Sequence, residues 1–320
     1  MSDGKWVSGI ALDTPAVDAA QTVLAARLDV VKHYLPLAVE HAYEDREHIH
    51  QLRVSTRRAG AALRAFAPYL PRKRLAGIKR SLRTIRRAAG DARDWDVFLE
   101  DLPNIRALTT ESGKPALDFL LGYALAERVR AQTQLVEVAA RIVEEFREQG
   151  QTLASYLQQP DTPETAATFG ELGESHLTQA FQRFNAEVEA ALGSSEDLHL
   201  LHQLRIHAKR LRYAIEIVSE CFTAPLRHDL YPALEEMQSL LGIWHDATVR
   251  LEWLEGIRVH TQAVSPVEWG RLRPGVTGFI RSLRGKRNST QQKFVTLRGN
   301  WQGLTSKHPL EELRLTGEAV

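Results

Sequence analysis

The chain has 320 residues, 43% hydrophobic and 25% charged, an ordinary globular composition with enough apolar material to bury a sizeable core in one large domain or two of ordinary size. No stretch approaches the roughly 18 consecutive apolar residues of a membrane span, and MSDGKWVSGIALDTPAVDAA lacks a positive region followed by an unbroken apolar run, so a cytoplasmic protein outside the membrane is expected. The single cysteine, Cys221, excludes an internal disulfide and, in the apolar stretch IEIVSECF, reads as a small hydrophobe.

A net charge of +1 hides a strong local separation. Between His50 and Arg93 thirteen Lys/Arg face one acid, Asp91, giving +12; between Arg271 and Arg298 eight basic residues face none. Between Val143 and Leu200 two basic residues oppose eleven acids, giving −9. Basic zones of this density point to a polyanionic partner.

Apolar residues recur at helical spacing almost throughout, and no convincing alternating strand segment is present, so the expected fold is all-α. Helices are predicted from about Ala16 to Glu44, Glu47 to Tyr69, Pro71 to Ala89, Asp94 to Leu108, and Pro115 to Gln149. The segment QGQTLASYLQQPDTPETAATFG then reads as a linker, over 151–168. Helices resume near Leu172 to Leu192, Leu198 to Phe222, Leu226 to Leu241, Ala247 to Val259 and Pro266 to Leu304, before a tail, 306–320, expected to fray.

The second half repeats the first. HQLRVSTRR, His50 to Arg58, returns as HQLRIHAKR, His202 to Arg210, with five of nine residues identical and an offset of 152 positions. Gly90 and Gly242, Asp94 and Asp246, Val97 and Val249, and Leu99 and Leu251 keep that same offset of 152. The organisation expected is one domain over 14–305, built from two pseudo-symmetric antiparallel helical bundles (14–150 and 169–305) around a central basic groove or pore.

At about 100° per residue, Arg53, Arg57 and Arg64 fall within about 60° of His50 on the helical wheel, opposite Leu52, Ala59, Leu63 and Phe66. Arg58 lies at the margin of this stripe, about 80° away. The second copy puts His202, Arg205 and Lys209 at the same angles, with Arg212 joining, Arg210 matching Arg58, and Glu216 standing where Arg64 stood. An amphipathic surface helix is the simplest reading of such a face. A merely solvated face, however, usually mixes signs for i,i+4 pairing, and this one is cationic without interleaved acids. Val54 and Ile206, and Ala61 and Tyr213, flank the stripe, which implies that this side is partly enclosed.

The next helix adds Lys79, Arg83, Arg86 and Arg87, opposite Ile78, Leu82 and Ile85. Their counterparts are Tyr231, Glu235, Gln238 and Ser239, so the groove should be electrostatically lopsided. The last long helix, with Arg281, Arg284, Lys286, Arg287 and Lys293, could restore balance; Arg281 and Lys286 are the candidates there.

The doubled H-x-x-R-V/I-x-x-K/R-R segment, together with GDARDWDV, GIWHDATV and Trp301, resembles the CHAD family of α-helical, histidine-containing domains. The resemblance runs from about residue 14 to 305. Two departures stand out: Arg57-Arg58-Ala59-Gly60 where the family shows Arg-Arg-Leu-Arg, and His245-Asp246 where Arg-Asp is usual. The resemblance implies binding of inorganic polyphosphate by the basic helices and, in some members, association with polyphosphate granules. The triphosphate tunnel domain that accompanies some members has no counterpart here, since Glu187-Val188-Glu189 lies in a helical pattern without the following lysine.

The chemistry fits a linear polyanion without base edges, held by repeated point charges and guanidinium forks. His50 and His202, flanked by arginines, should favour the neutral form in the free protein and the imidazolium beside a bound polyanion. Rival readings are weaker. His199, His202 and His207 beside His245 and Asp246 complete no metal-ligand motif, and arginines there repel a cation. Asp94, Asp96 and Asp246 read as helix N-caps or as carboxylates that orient the stripe arginines, and no catalytic motif appears; neither an enzyme nor a cofactor is expected. The serious alternatives are a nucleic-acid-binding module, disfavoured by the absence of aromatics between the cations, and a scaffold that docks on an acidic protein.

Overall fold

The computed structural model describes residues 4–158, 167–190 and 198–315. Four helices, α1 (Ala16–Glu40), α2 (Glu47–Ala65), α3 (Arg72–Asp101) and α4 (Lys114–Leu157), are followed by four more, α5 (Phe169–Ala190), α6 (Leu198–Val218), α7 (Tyr231–Val264) and α8 (Pro266–Lys307). No strand occurs among the described residues; two isolated bridges, Pro15 with Thr168 and Phe222 with Arg314, are the only pairings there. The expected all-α class holds.

Local sequence explains most boundaries. Pro15, at φ −53°, leads directly into α1, and Asp18 in its first turn meets the positive end of the helix dipole. On α4, Leu120, Ala124, Ala131, Leu135, Ala139, Ile142 and Phe146 are all buried, and their spacing of 3, 4 or 7 along the chain draws the apolar stripe of an amphipathic helix.

Several boundaries differ from expectation. The turns placed before Asp94 and Asp246 do not exist: Gly90 and Asp94 lie inside α3, and Gly242 and Asp246 inside α7. A helical glycine costs about 1 kcal/mol against alanine. At Gly90 the cost is offset, because the bare carbonyl beside it accepts a hydrogen bond from Arg53 Nη1 at 2.9 Å. The anticipated linker over 151–168 is helical as far as Leu157, its middle lies outside the described residues, and Ala167 and Thr168 run against α1. Ala16 N–H donates to the Ala167 carbonyl and Phe169 N–H to that of Thr14.

The tail beyond Ser306 does not fray as far as it is described. Leu310 and Leu313 are buried in a 3-10 turn, and Thr223 N–H donates to the Leu313 carbonyl. Apolar spacing could not announce this, because only two leucines of the segment reach the core.

The cores do not follow the repeat. One large cluster joins α1–α3 and the far part of α4 to α5, α6, the start of α7 and the end of α8. The second forms where the tips of the α3/α4 and α7/α8 hairpins meet, from Phe98, Leu102, Leu120, Leu254, Phe279 and their neighbours. There Trp253 packs edge-on against Trp95 and Phe98, with centroids 5.3 and 4.8 Å apart, and Arg250 donates to Asp101 at 2.6 Å. Both clusters draw on both halves, so neither half owns a core.

The α4/α8 crossing depends on Gly275. A Cβ at this position would lie 2.5 Å from Ala116 Cβ and 2.9 Å from the Gly113 carbonyl oxygen, and a backbone atom cannot rotate away. Gly275→Ala should therefore destabilise by about 1–3 kcal/mol through overpacking, read as a thermal midpoint several degrees lower. An unchanged midpoint would show that the crossing is looser than described.

Candidate functional site

The packing of α2 against α6 is the first determinant of the site. Each helix buries its apolar stripe, Ile49, Leu52, Ala59 and Leu63 on α2, and Leu201, Leu204, Ala208 and Leu211 on α6. The polar faces then converge with α3 on one space. Tyr213 and Ala61, each 4% exposed, lie in its enclosed flank, as the sequence implied.

The cations of α2, α3 and α6 act on one another across this space. Lys209 on α6 is lowered to about 6 by burial first, then by Arg205 on its own helix and by Arg57 and Arg53 on α2, with Asp246 opposing. Arg205 is lowered by burial and again by Arg57 and Arg53, and raised by Asp246 and Asp94. Arg64, though open to solvent over much of its surface, is lowered by desolvation, then by Arg210 and Arg86. On α3, Arg86 is lowered by burial and then by Arg57 and Arg83, and Lys79 by burial and then by Arg64. Eleven residues apart on α2, Arg53 and Arg64 are thus the two ends of one continuous cationic lining that crosses between the halves.

The 152-residue offset recurs in the pairs that orient this lining. Arg53 Nη1 donates to Asp94 Oδ1 at 2.6 Å, and Arg205 Nη2 lies 4.0 Å from Asp246 Oδ1. Both aspartates are well exposed and neither caps a helix, so the orienting role expected for them is the one found. Asp96, two residues on, points the other way: it is buried against Arg128 at 2.6 Å, and its offset counterpart is Thr248. Arg205 Nε is buried without a hydrogen-bond acceptor.

The histidines divide unequally. His50 is lowered by burial against a raising effect of Glu47, with Arg93, Arg53 and Arg57 lowering it further. The offset counterpart of Arg93 is His245, whose ring lies 5.5 Å from that of His202; burial lowers His245 first, then Arg205. One end of the lining thus pairs a histidine with an arginine and the other pairs two histidines. His207 turns away and faces Glu187 at 3.8 Å. Among the described residues no three His, Cys, Asp or Glu side chains come together as a metal site.

Four predicted site residues belong elsewhere. Arg58 leaves the lining and donates to Glu216 Oε2 at 3.0 Å. Arg212 lies 3.6 Å from Glu216 and 3.6 Å from Glu235. Both are held by carboxylates because Glu216, 1% exposed, needs compensating charge. Arg281 and Lys286 are exposed on α8, which packs chiefly against α7 and α4 and so lies away from the α2/α6 faces. Arg83 and Arg87 stand at the exposed margin of α3, where Arg83 acts on Arg86 and Arg87 on Asp91.

Three positions where the second copy abandons cations join in one network, through which Glu216 ties the halves. Glu216, Tyr231 and Glu235 stand at the offset counterparts of Arg64, Lys79 and Arg83. The Tyr231 hydroxyl donates to Glu216 Oε1 at 2.7 Å, Glu216 accepts from Arg58 of the first half, and Lys5 donates to Glu235 at 3.2 Å. Trp6 packs on Tyr231 at 4.7 Å with Arg227 over its other side at 4.2 Å. Sequence reading also missed His176 on α5, lowered to about 4 by burial and then by Arg64; it has no cationic neighbours in sequence to mark it.

The comparisons with known proteins follow this geometry. The family model described as CHAD domain matches residues 22–255, most of the chain. The chain belongs to the CHAD family. Its fold is similar to the crystal structure of the CHAD domain from the plant Ricinus communis, with a TM-score of 0.71 and 20% identity over 93% of this chain and 95% of that one. PptA from Streptomyces chartreusis is also similar, with a TM-score of 0.62 and 18% identity over 92% of this chain and 100% of that one. None of the curated proteins compared matches. Among the described residues no helix is long and apolar enough to cross a membrane.

Glu216→Ala, which removes the buried carboxylate shared by Arg58, Arg212 and Tyr231, should cost about 3–5 kcal/mol of folding stability, measured by urea unfolding. Arg53→Glu, on the open lining, should cost far less. Equal losses would contradict the division between tie and lining.

Proposed function

We propose that this CHAD protein is a binding module for inorganic polyphosphate, held between α2, α3 and α6. The observation that carries the reading is the gathering of Lys209, Arg205 and Arg86 beside Arg53 and Arg57, where burial first and then these two arginines lower all three. Like charges concentrated this way across two helices destabilise one another until an anion enters. The membership of a family linked to polyphosphate supports the same ligand. Polyphosphate offers a charge on every repeating unit, which suits a lining of guanidinium forks without stacking aromatics. The module acts by binding and not by catalysis, works in the cytoplasm, and is suited to docking on polyphosphate granules.

The test is competition. Protein bound to immobilised long-chain polyphosphate should be released by free polyphosphate and far less by duplex DNA or RNA at the same ionic strength; equal release by nucleic acid would overturn the reading. Arg53→Glu with Arg205→Glu should abolish binding while helicity, read by circular dichroism, stays. Affinity should weaken steeply with salt, as counterions are released.

Binding should also take up protons. Lys209, lowered to about 6, and His50 and His245, lowered from their ordinary value, each regain their proton beside a polyanion. Affinity therefore rises as pH falls from about 8 to 6. Lys209→Arg, charged throughout that range, should flatten much of the slope, and His50→Ala with His245→Ala a further part. Slopes equal to wild type in all variants would exclude this coupling.

A further inference from the structure

We infer that polyphosphate held in the lining leaves it at one end only, over the exposed side of α3 toward that helix's first turn, where Arg72, Lys73 and Arg80 grip it, so that the protein ranks chains by length. The inference rests on the polyphosphate reading and adds to it a direction and an outer zone of contact.

The path follows from how α2 and α3 are paired. Arg53 Nη1 donates to the Gly90 carbonyl at 2.9 Å, Arg57 acts on Arg86 and Arg64 on Lys79, so α3 recedes in number as α2 advances. Helix α2 stops at Ala65, whereas α3 begins only at Arg72 and carries the cationic side on alone. On the wheel of α3, Arg72 lies within about 20° of Lys79 and roughly 10 Å beyond it, with Arg80 and Lys73 about 100° and 120° round. All three are exposed. The first turn of α3 holds no acid, and its backbone N–H groups add the positive end of the helix dipole.

These cations are uncompensated. Exposed cations elsewhere are matched one turn away, as Lys32 is by Asp29, Arg130 by Glu127 and Arg147 by Glu144. Arg74 turns aside to α4, donating to the Thr152 carbonyl at 3.2 Å and lying 5.0 Å over the Tyr156 ring. Between Arg72 and Gly90 there is no acid at all. Glu171, whose charge reaches Tyr69 in the turn before α3, already accepts from the Thr168 backbone N–H at 2.8 Å.

Other exits are closed to a polyanion. Beside Arg53 stand Asp94 and Asp246, with side chains 75% and 57% exposed, and Asp91 lies close by. In the second half the counterparts of Arg72, Lys73 and Arg80 at the offset of 152 are Ala224, Pro225 and Pro232, which carry no charge.

Lysine footprinting reads the path directly. Folded protein is labelled with an amine-reactive ester alone, with tripolyphosphate, and with long-chain polyphosphate, and each lysine is followed by peptide mass spectrometry. The long chain should shield Lys73 severalfold and leave Lys114, Lys286 and Lys293 as reactive as before; tripolyphosphate, confined to the lining, should leave Lys73 reactive. Lys73 unshielded by the long chain overturns the inference.

Affinity supplies the second arm. Arg72→Glu, Lys73→Glu and Arg80→Glu together should weaken long-chain binding at least about tenfold and make it less sensitive to salt, with tripolyphosphate binding nearly unchanged and circular dichroism as in wild type. The same three positions changed to Ala should act in the same direction and less. Arg273→Glu, Arg281→Glu and Lys286→Glu on α8, an equal change in net charge at exposed positions, should do little. Equal losses in the α3 and α8 sets, or equal losses for long and short chains, overturn the inference while the proposed function stands. Wild-type protein that binds neither ligand overturns the proposed function itself.

Discussion

Two helices that present positive charge to the same space repel one another, and the whole molecule is arranged around holding α2 and α6 together in spite of it. Burial first, and then the like charges of Arg205, Arg57 and Arg53, bring Lys209 down to about 6. What opposes them is apolar burial behind each helix and the carboxylate of Glu216, fully enclosed, which accepts from Arg58 across the halves and from Tyr231 within its own. The cationic face and the ion pairs that support it are thus neighbours on the same helices, one turned outward to the lining and one turned inward.

This explains why the repeat is unequal. A faithful second copy would place cations where Glu216, Tyr231 and Glu235 stand, and Arg58 would then face positive charge in place of the Glu216 carboxylate. Replacing Arg64 by Glu216 at that edge of the lining, with Tyr231 donating to it, supplies the ion pair that joins α2 to α6. The shared hydrophobic clusters serve the same end. Because Phe98, Trp253 and Phe279 meet where the two long hairpins touch, the halves are fixed at their tips as well as at α2/α6.

Much of this was legible in the sequence. The helical period gave the class, the offset of 152 gave the matched helices, and the wheel set His50, Arg53, Arg57 and Arg64 apart from Arg58, which does leave the lining. Continuity of α3 was not legible, because Gly-Asp is ordinarily a turn signal and the helix runs through Gly90 by virtue of the apolar residues buried on either side of it, Ile85, Ala89, Ala92 and Phe98. Arg212 looked like a stripe residue because a wheel shows direction and not the carboxylate, Glu235, that waits on another helix. His176 reaches the site from α5, a helix with no basic pattern of its own, and the packing of Leu310 and Leu313 against the second half left no periodic trace.

The central claim is that one anion is held by residues of both halves at once, and a double-mutant cycle across α2 and α6 tests it most directly. Polyphosphate affinity is measured for wild type, Arg57→Ala, Lys209→Ala and the double variant. A single shared site predicts strong non-additivity, a coupling above about 1 kcal/mol. Effects that add to within about 0.5 kcal/mol would mean that the two helices bind independently, and would contradict the account.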